Sequence, residues 1–189
     1  AVVSNINTAI DSVLLPVLSN EQENINRVRN MTRKSIKVGT FVMAPLMFGL
    51  AGTASNVVSI ILTEKWLPCV PFMRVFCIIY LFYPIATANY NALKALGHSE
   101  TYLRIDLIQK AVGITILIIT MWISPLAIAY GMLVSTIINQ IVISWPNRKL
   151  LNYQFTEMIK DIVPNLGLGL VMFICVFSMD FIPLNKYII

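Results

Sequence analysis

The sequence predicts an all-α fold, a polytopic transmembrane helical bundle, from its composition and its long apolar runs. Apolar side chains make up 57% of the 189 residues and charged ones only 12%, whereas about a quarter are charged in a typical soluble domain. Residues 39–62 form one run without a charged side chain. A helix needs roughly 20 such residues to cross a bilayer core about 30 Å thick. The runs are continuous rather than alternating, which favours helices over a β-barrel.

Five long, mainly apolar runs define about five full spans. In chain order, the expected spans are 39–62, 71–93, 103–123, 126–145 and 162–179. The first contains Pro45, which allows a bend, and the second contains Pro84, which we expect to kink it. The Ser124-Pro125 turn is short enough to make the third and fourth spans an antiparallel hairpin. No hydrophilic stretch is long enough for a separate soluble domain, so we expect one membrane domain over 1–189.

The N-terminal stretch lacks the features of a signal peptide. Residues 1–18 have no basic region or cleavage site and are only moderately apolar, with Asp11 and Pro16 among them. We expect this stretch to be the end of a truncated N-terminal helix. The chain would then be the C-terminal half of a transporter membrane domain, and the N-terminal half would be its partner. An amphipathic helix lying on the membrane is the alternative.

Lysine and arginine are distributed unevenly among the loops. The richer side has Arg27, Arg29, Arg33, Lys34, Lys37, Lys94, Arg104, Lys110, Arg148, Lys149 and Lys160, and the other has Lys65, Arg74 and Lys186. The positive-inside rule therefore puts 19–37, 94–102 and 146–161 in the cytoplasm. Segments 63–70, 124–125 and 180–189 would face outward. Because these cations flank apolar spans, the net charge of +5 indicates topology and not nucleic-acid binding.

Catalytic and metal chemistry are not predicted. Cys69, Cys77 and Cys175 show no paired spacing, and His98 is the single histidine, so a zinc site or a Cys/His nucleophile pair is not expected. The sequence has no glycine-rich phosphate loop and no paired acidic motif. We therefore expect a protein that is not an enzyme, with no catalytic residues, no metal and no cofactor.

Polar residues at membrane depth are costly and indicate a functional pathway. Arg74 lies about one turn inside the outer end of the second span, and Asn89 follows 15 residues later. On an ideal helix the two are about 60° apart, so they could line one face. We predict that Arg74 and Asn89 bind substrate, with Arg74 receiving an anion. The alternative for Arg74 is snorkelling toward the outer headgroups.

Asp106 and Lys110 are spaced for an i,i+4 ion pair near the cytoplasmic entry of the third span. Because the two charges neutralise each other, the pair lowers the free energy of inserting this helix into the membrane. The functional alternative is that the pair acts as a gate or coupling element. In the fourth span, Asn139 and Gln140 are expected to form interhelical hydrogen bonds.

Three segments together resemble one known family. They are Leu15-Pro16-Val17-Leu18-Ser19, Thr63-Glu64-Lys65-Trp66-Leu67-Pro68-Cys69-Val70-Pro71-Phe72 and Asn89-Tyr90-Asn91-Ala92-Leu93-Lys94-Ala95-Leu96-Gly97. They resemble the lipopolysaccharide (O-antigen) flippase branch of the multidrug/oligosaccharidyl-lipid/polysaccharide exporter superfamily, over about 13–152. Two positions depart from the family pattern, since Ala86 stands in place of a histidine and His98-Ser99-Glu100 in place of Arg-Ser-Asp.

The resemblance implies transport of a lipid-linked glycan across the bacterial inner (plasma) membrane. The substrate would be an undecaprenyl-pyrophosphate-linked glycan or a related capsule or exopolysaccharide unit, with the lipid bilayer as the medium. One alternative is a drug or cation antiporter of the same superfamily, which a buried, unpaired acidic residue would favour. A second is a membrane-bound glycosyltransferase or polymerase, which an acidic catalytic cluster would favour.

Overall fold

A computed structural model describes residues 12–180. Residues 12–20 are helical and are termed α1. The following helices are α2 (Ile25–Gly52), α3 (Ala54–Leu62), a 3-10 helix (Glu64–Cys69), α4 (Val70–Leu81), α5 (Tyr83–Ala95), α6 (Ser99–Met121), α7 (Pro125–Leu150) and α8 (Phe155–Asp180). The first 11 residues of the expected truncated helix and segment 181–189 lie outside the described residues.

Helices long and apolar enough to cross a membrane account for much of the described chain. They are Ile25–Gly52, Glu64–Ala95, Pro125–Leu150 and Thr156–Ser178. The expected span 103–123 corresponds to α6, which has 23 residues but carries Arg104, Asp106 and Lys110 in its first half. The expected all-α, polytopic bundle is confirmed, and the chain is a multi-pass membrane protein. A membrane crossing by α6 stays a prediction.

Prolines affect the first two spans differently. α2 continues through Pro45 and ends at Gly52, after which α3 begins. In the second span, the helix is interrupted at Phe82, and Pro84 lies in the first turn of α5. Proline lacks an N–H group and fits the first turn of a helix, where that donor has no intrahelical partner. The kink expected at Pro84 is therefore present as a break between α4 and α5.

The helix ends near the short loops have clear local causes. Gly97 has φ +75°, and its N–H bonds to Lys94 O while that of His98 bonds to Leu93 O. This is the Schellman pattern, which favours glycine because of the positive φ. Ser124 caps α7, since its Oγ accepts from Ala127 N over 3.1 Å. Only residues 122–124 separate α6 from α7, and the two helices pack against each other, which confirms the tight hairpin predicted from the sequence.

The core lies around α2, which packs against α4, α5 and α8. Its buried face includes Ile36, Gly39 and Met43. A Cβ at Gly39 would lie 2.7 Å from Pro84 Cβ, so only glycine allows α2 and α5 to approach this closely. The α6–α7 hairpin packs on the side of this core, and α6 buries only Ile105 fully.

Candidate functional site

A groove of about 700 Å³ runs between α4, α5, α6 and α7. Apolar side chains form most of its wall, as in many ligand sites. Its polar residues include Tyr83, Tyr90, Gln109, Lys110, Asn139 and Gln140. This cavity is termed the polar groove. Since polar side chains at membrane depth are costly and often functional, it is the candidate site.

Two side-chain oxygens in the polar groove have no hydrogen-bond partner among the described residues. Gln140 is 8% exposed, and its Nε2 donates to Phe82 O over 2.9 Å. This bond confirms the interhelical role predicted for Gln140 and leaves Oε1 as its free atom. Gln140 Oε1 and Asn139 Oδ1 are both buried and unpaired. Both residues line the groove, and a rotation of either amide would present its oxygen to a hydrogen-bond donor there.

The ion pair predicted in α6 lies at the edge of the polar groove. Lys110 Nζ is 2.7 Å from Asp106 Oδ2, and 68% of the Lys110 side chain is exposed. Beside it, Tyr90 donates its hydroxyl to Gln109 Oε1, which links α5 to α6. The ion pair itself is confirmed. Its role as a gate or coupling element stays a prediction.

Asn89 is on the face of α5 that contacts α7, and it is 1% exposed. Its Nδ2 donates to Ile85 O over 2.9 Å, and its Oδ1 accepts from Asn147 Nδ2 over 2.8 Å. Asn89 is thus already hydrogen-bonded within the protein. The shared face expected for Arg74 and Asn89 rested on an ideal helix, and that angle does not carry across the break at Phe82. The predicted substrate-binding role of Asn89 stays a prediction.

Arg74 lines a smaller groove of about 420 Å³ between α2, α4 and α8. The remaining wall is apolar and includes Phe48 and Phe173. Arg74 Nε donates to Ala51 O over 3.4 Å, close to the end of α2, where a cation is favourable because of the helix dipole. This contact gives Arg74 a structural role beside the predicted one, and its substrate-binding role stays a prediction.

An ion-pair ladder joins α2 to α8. Arg29 Nη2 lies 2.6 Å from Glu157 Oε2. Arg33 binds Asp161 through Nε and through Nη2, the latter at 2.9 Å from Oδ1. Lys37 Nζ lies 3.1 Å from the same Oδ1, and the Asp161 side chain is only 4% exposed. The ladder thus places two cations on one buried carboxylate.

Hydrogen bonds to Asp161 and Lys37 extend the ladder beyond its ion pairs. Tyr153 donates its hydroxyl to Asp161 Oδ2 over 3.2 Å. Burial raises the pKa of Tyr153 above its ordinary value, and the nearby Asp161 carboxylate raises it further. Asn165 Nδ2 donates to Lys37 O over 2.9 Å and to Thr40 Oγ1 over 2.8 Å. The ion pairs of the ladder bring together segments 19–37 and 146–161, which the charge pattern had put on one side of the membrane.

The ladder was not predicted from the sequence, because pairs such as Arg29–Glu157 and Arg33–Asp161 join residues 128 apart in the chain. A signal was nevertheless present. Arg29, Arg33 and Lys37 recur every four residues on α2, and Glu157 and Asp161 have the same spacing on α8. Such spacing places each set on one helix face, but nothing in the sequence shows that the two faces meet.

These features define the class of the protein as a multi-pass helical membrane protein with a polar groove at membrane depth. Comparison with known proteins places it more closely. Residues 1–71 match the family described as polysaccharide biosynthesis protein. The chain is also similar to an uncharacterized membrane protein in the cps region of Klebsiella pneumoniae, with 29% identity over 140 residues. No solved structure matches the chain.

Each of the two matches covers only part of the sequences compared. The match to the Klebsiella protein covers 74% of this chain and 29% of that relative's length. The chain therefore spans less than a third of the curated relative. Both matches confirm the resemblance to a polysaccharide biosynthesis and exporter-type family that the three segments had suggested.

Proposed function

We propose that this chain is the C-terminal part of a bacterial inner-membrane exporter that moves a lipid-linked glycan to the outer leaflet. The process served would be lipopolysaccharide, capsule or exopolysaccharide biosynthesis. The family match supports the link to polysaccharide biosynthesis, as does a relative named for its cps region. The transport role is supported by one observation, the polar groove among apolar helices.

Transport of a lipid-linked glycan fits the chemistry of such a bundle. The sugar headgroup needs hydrogen-bonding partners on its way through the membrane, whereas the lipid chain can remain in the bilayer. An undecaprenyl-pyrophosphate carrier also brings negative charge, which cations such as Arg74 and Lys110 would attract. The N-terminal half of the full protein would complete the cavity, and rocking of the two halves would alternate its access.

The four residues predicted from the sequence have distinct places in this proposal. Arg74 would receive the anionic part of the substrate from the outer side, and Asn89 would hold α5 against α7 while contributing to binding. Asp106 and Lys110 would act at the mouth of the polar groove, where Lys110 lines the wall. Exchange of the Asp106–Lys110 pair for contacts with substrate would make it a gate.

The ion pairs bear on the antiporter alternative. A cation antiporter would be favoured by a buried carboxylate without a partner. Asp161 is buried but holds Arg33 and Lys37, and Asp106 holds Lys110. Neither carboxylate has the unpaired state that would favour an antiporter, so glycan export is the preferred proposal.

The test is complementation of a flippase-deficient bacterial strain with the full-length protein. We expect restored surface polysaccharide and transfer of the lipid-linked glycan from the cytoplasmic to the outer leaflet. Purified full-length protein should neither lengthen nor cleave the glycan. Transferase activity without restored export would overturn the proposal and favour the glycosyltransferase alternative.

A further inference from the structure

Two neighbouring residues that line the polar groove each carry a buried acceptor atom that no contact within the described chain uses. Gln140 is more than nine-tenths buried, at 8% exposure. Its Nε2 is bonded to Phe82 O, and its Oε1 has no partner. Asn139 Oδ1, on the next residue, is unpaired as well. A buried polar atom left unpaired costs about 1–3 kcal/mol, so a hydrogen-bond donor in the groove would stabilise it.

The position of these acceptors restricts where a donor can come from. α7 extends over Pro125–Leu150 and is long and apolar enough to span the membrane. Asn139 and Gln140 therefore lie close to its middle, away from both headgroup regions. Hydrocarbon tails have no hydrogen-bond donors. The donor must come from a ligand, from water or from the rest of the full protein.

The rest of the groove indicates the chemical class of that ligand. Tyr83 and Tyr90 line the α5 wall, and Thr136 lines the α7 wall. Tyrosine combines an apolar ring face with a polar hydroxyl, which matches the C–H face and hydroxyl edge of a sugar ring. The remaining wall is largely apolar and includes Ile114 and Leu117, where a hydrocarbon chain can lie.

We propose that the polar groove binds the hydroxyl-rich headgroup of a membrane amphiphile, namely a sugar attached to a lipid carrier. Asn139 Oδ1 and Gln140 Oε1 accept hydrogen bonds from its hydroxyl groups, and the lipid chain lies along the apolar wall. This assignment rests on the proposed function, and it gives the exported glycan a binding place within this part of the protein.

Asn139→Leu is the decisive variant, because it separates ligand binding from folding. It replaces the amide by an apolar group with the same branching and the same number of heavy atoms, so without ligand the melting temperature should stay equal or rise. Asn165→Leu is the matched control, since its amide is bonded to Lys37 and Thr40. We expect that control to lower the melting temperature and to leave ligand binding unchanged.

The assay measures binding to the full-length protein in lipid nanodiscs. The probes are a short-chain polyprenyl diphosphate linked to N-acetylglucosamine, the same carrier without sugar, and phosphatidylglycerol, whose glycerol hydroxyls have related chemistry. We expect the wild-type protein to bind the sugar-linked probe about tenfold more tightly than the bare carrier, the effect of roughly 1.4 kcal/mol of hydrogen bonding. Asn139→Leu should abolish this preference, and Asn165→Leu should retain it.

Three results would overturn the assignment. They are equal binding of sugar-linked and bare carrier, an unchanged sugar preference in Asn139→Leu, and Asn139-dependent binding of phosphatidylglycerol as tight as that of the sugar probe. If Asn139→Leu fails to fold, Asn139→Ala removes the same oxygen without adding bulk and should also abolish the sugar preference. An unchanged preference in that variant counts against the assignment in the same way.

Failure of this assignment is distinguishable from failure of the proposed function. A wild-type protein that does not complement the export-deficient strain but keeps its Asn139-dependent sugar preference contradicts export alone. A protein that complements while Asn139→Leu keeps the sugar preference contradicts the groove assignment alone.

Discussion

The α2–α8 interface and the α6–α7 hairpin use charge in opposite ways. Across the α2–α8 interface, Asp161 is 4% exposed and binds Arg33 and Lys37 of α2, of which Arg33 is 128 residues away in the chain. In α6, by contrast, Glu100 pairs with Arg104 one turn later, and their side chains are 78% and 74% exposed. The first arrangement fixes two helices relative to each other. The second only neutralises charge within one helix.

This difference separates a region that holds the bundle together from a region open to a ligand. α2 buries one whole face, including the glycine contact with α5. α6 buries only Ile105 fully, and outside the groove it exposes apolar side chains such as Leu107 and Ile118, which suits contact with lipid or with the rest of the protein. The polar groove lies on the side of this hairpin.

The largest loss of stability is expected for Asp161→Ala. This change leaves Arg33 and Lys37 without their shared carboxylate, and breaking a buried ion pair costs about 3–5 kcal/mol. Because both cations are partly exposed, at 35% and 48%, we expect a loss nearer 2 kcal/mol. The melting temperature of the purified full-length protein provides the measurement.

Glu100→Ala is the control for that experiment. It breaks an exposed i,i+4 pair and should leave the melting temperature nearly unchanged. Equal losses in Asp161→Ala and Glu100→Ala would mean that the ladder does not hold the bundle together.

Gly169→Val should have the next largest effect on stability. A Cβ at Gly169 would overlap the Phe48 ring and would lie 3.2 Å from Ala44 Cβ, so α8 must move away from α2. Overpacking of this kind costs about 1–3 kcal/mol. Gly167→Val is the control two residues earlier, where an added Cβ meets nothing within 4 Å. If both variants melt at the same temperature, α2 and α8 are not closely packed at Gly169.

The α2–α8 interface and the α6–α7 hairpin also show what the sequence could and could not predict. The apolar runs predicted the membrane helices, and Pro84 and Ser124-Pro125 predicted a kink and a hairpin, because these signals are local. The Asp106–Lys110 pair was found for the same reason. The ladder and the Asn89–Asn147 contact join residues distant in the chain, and no local spacing reveals which helix faces meet.

A smaller effect on stability is expected for Arg74→Ala. Loss of its contact with Ala51 O at the end of α2 should cost about 0.3–1 kcal/mol. If Arg74 also receives an anionic substrate, surface polysaccharide in the complemented strain should fall strongly. Arg74→Lys should then retain part of the function, because the charge remains, and Lys65→Ala should do little. Normal export by a well-expressed Arg74→Ala protein would support snorkelling or a purely structural role.

The smallest effect on stability is expected for single cysteine substitutions, which test on which side of the membrane each loop lies. In a full-length protein without its native cysteines, Asn30→Cys and Lys149→Cys should be labelled from the cytoplasmic side and Leu67→Cys from the outside. Stability should not change, since these positions are on the surface or partly exposed. Labelling of position 67 and position 149 from the same side would contradict the topology.

The separation of stability from ligand binding is tested most directly by two quantities measured together on Asp161→Ala and Asn139→Leu. These are the melting temperature of the purified full-length protein and the surface polysaccharide restored per expressed molecule in the export-deficient strain. We expect Asp161→Ala to lower the melting temperature, and Asn139→Leu to lower export at an unchanged or higher melting temperature. Normal export by Asn139→Leu, or a parallel fall of both quantities in that variant, would contradict the account.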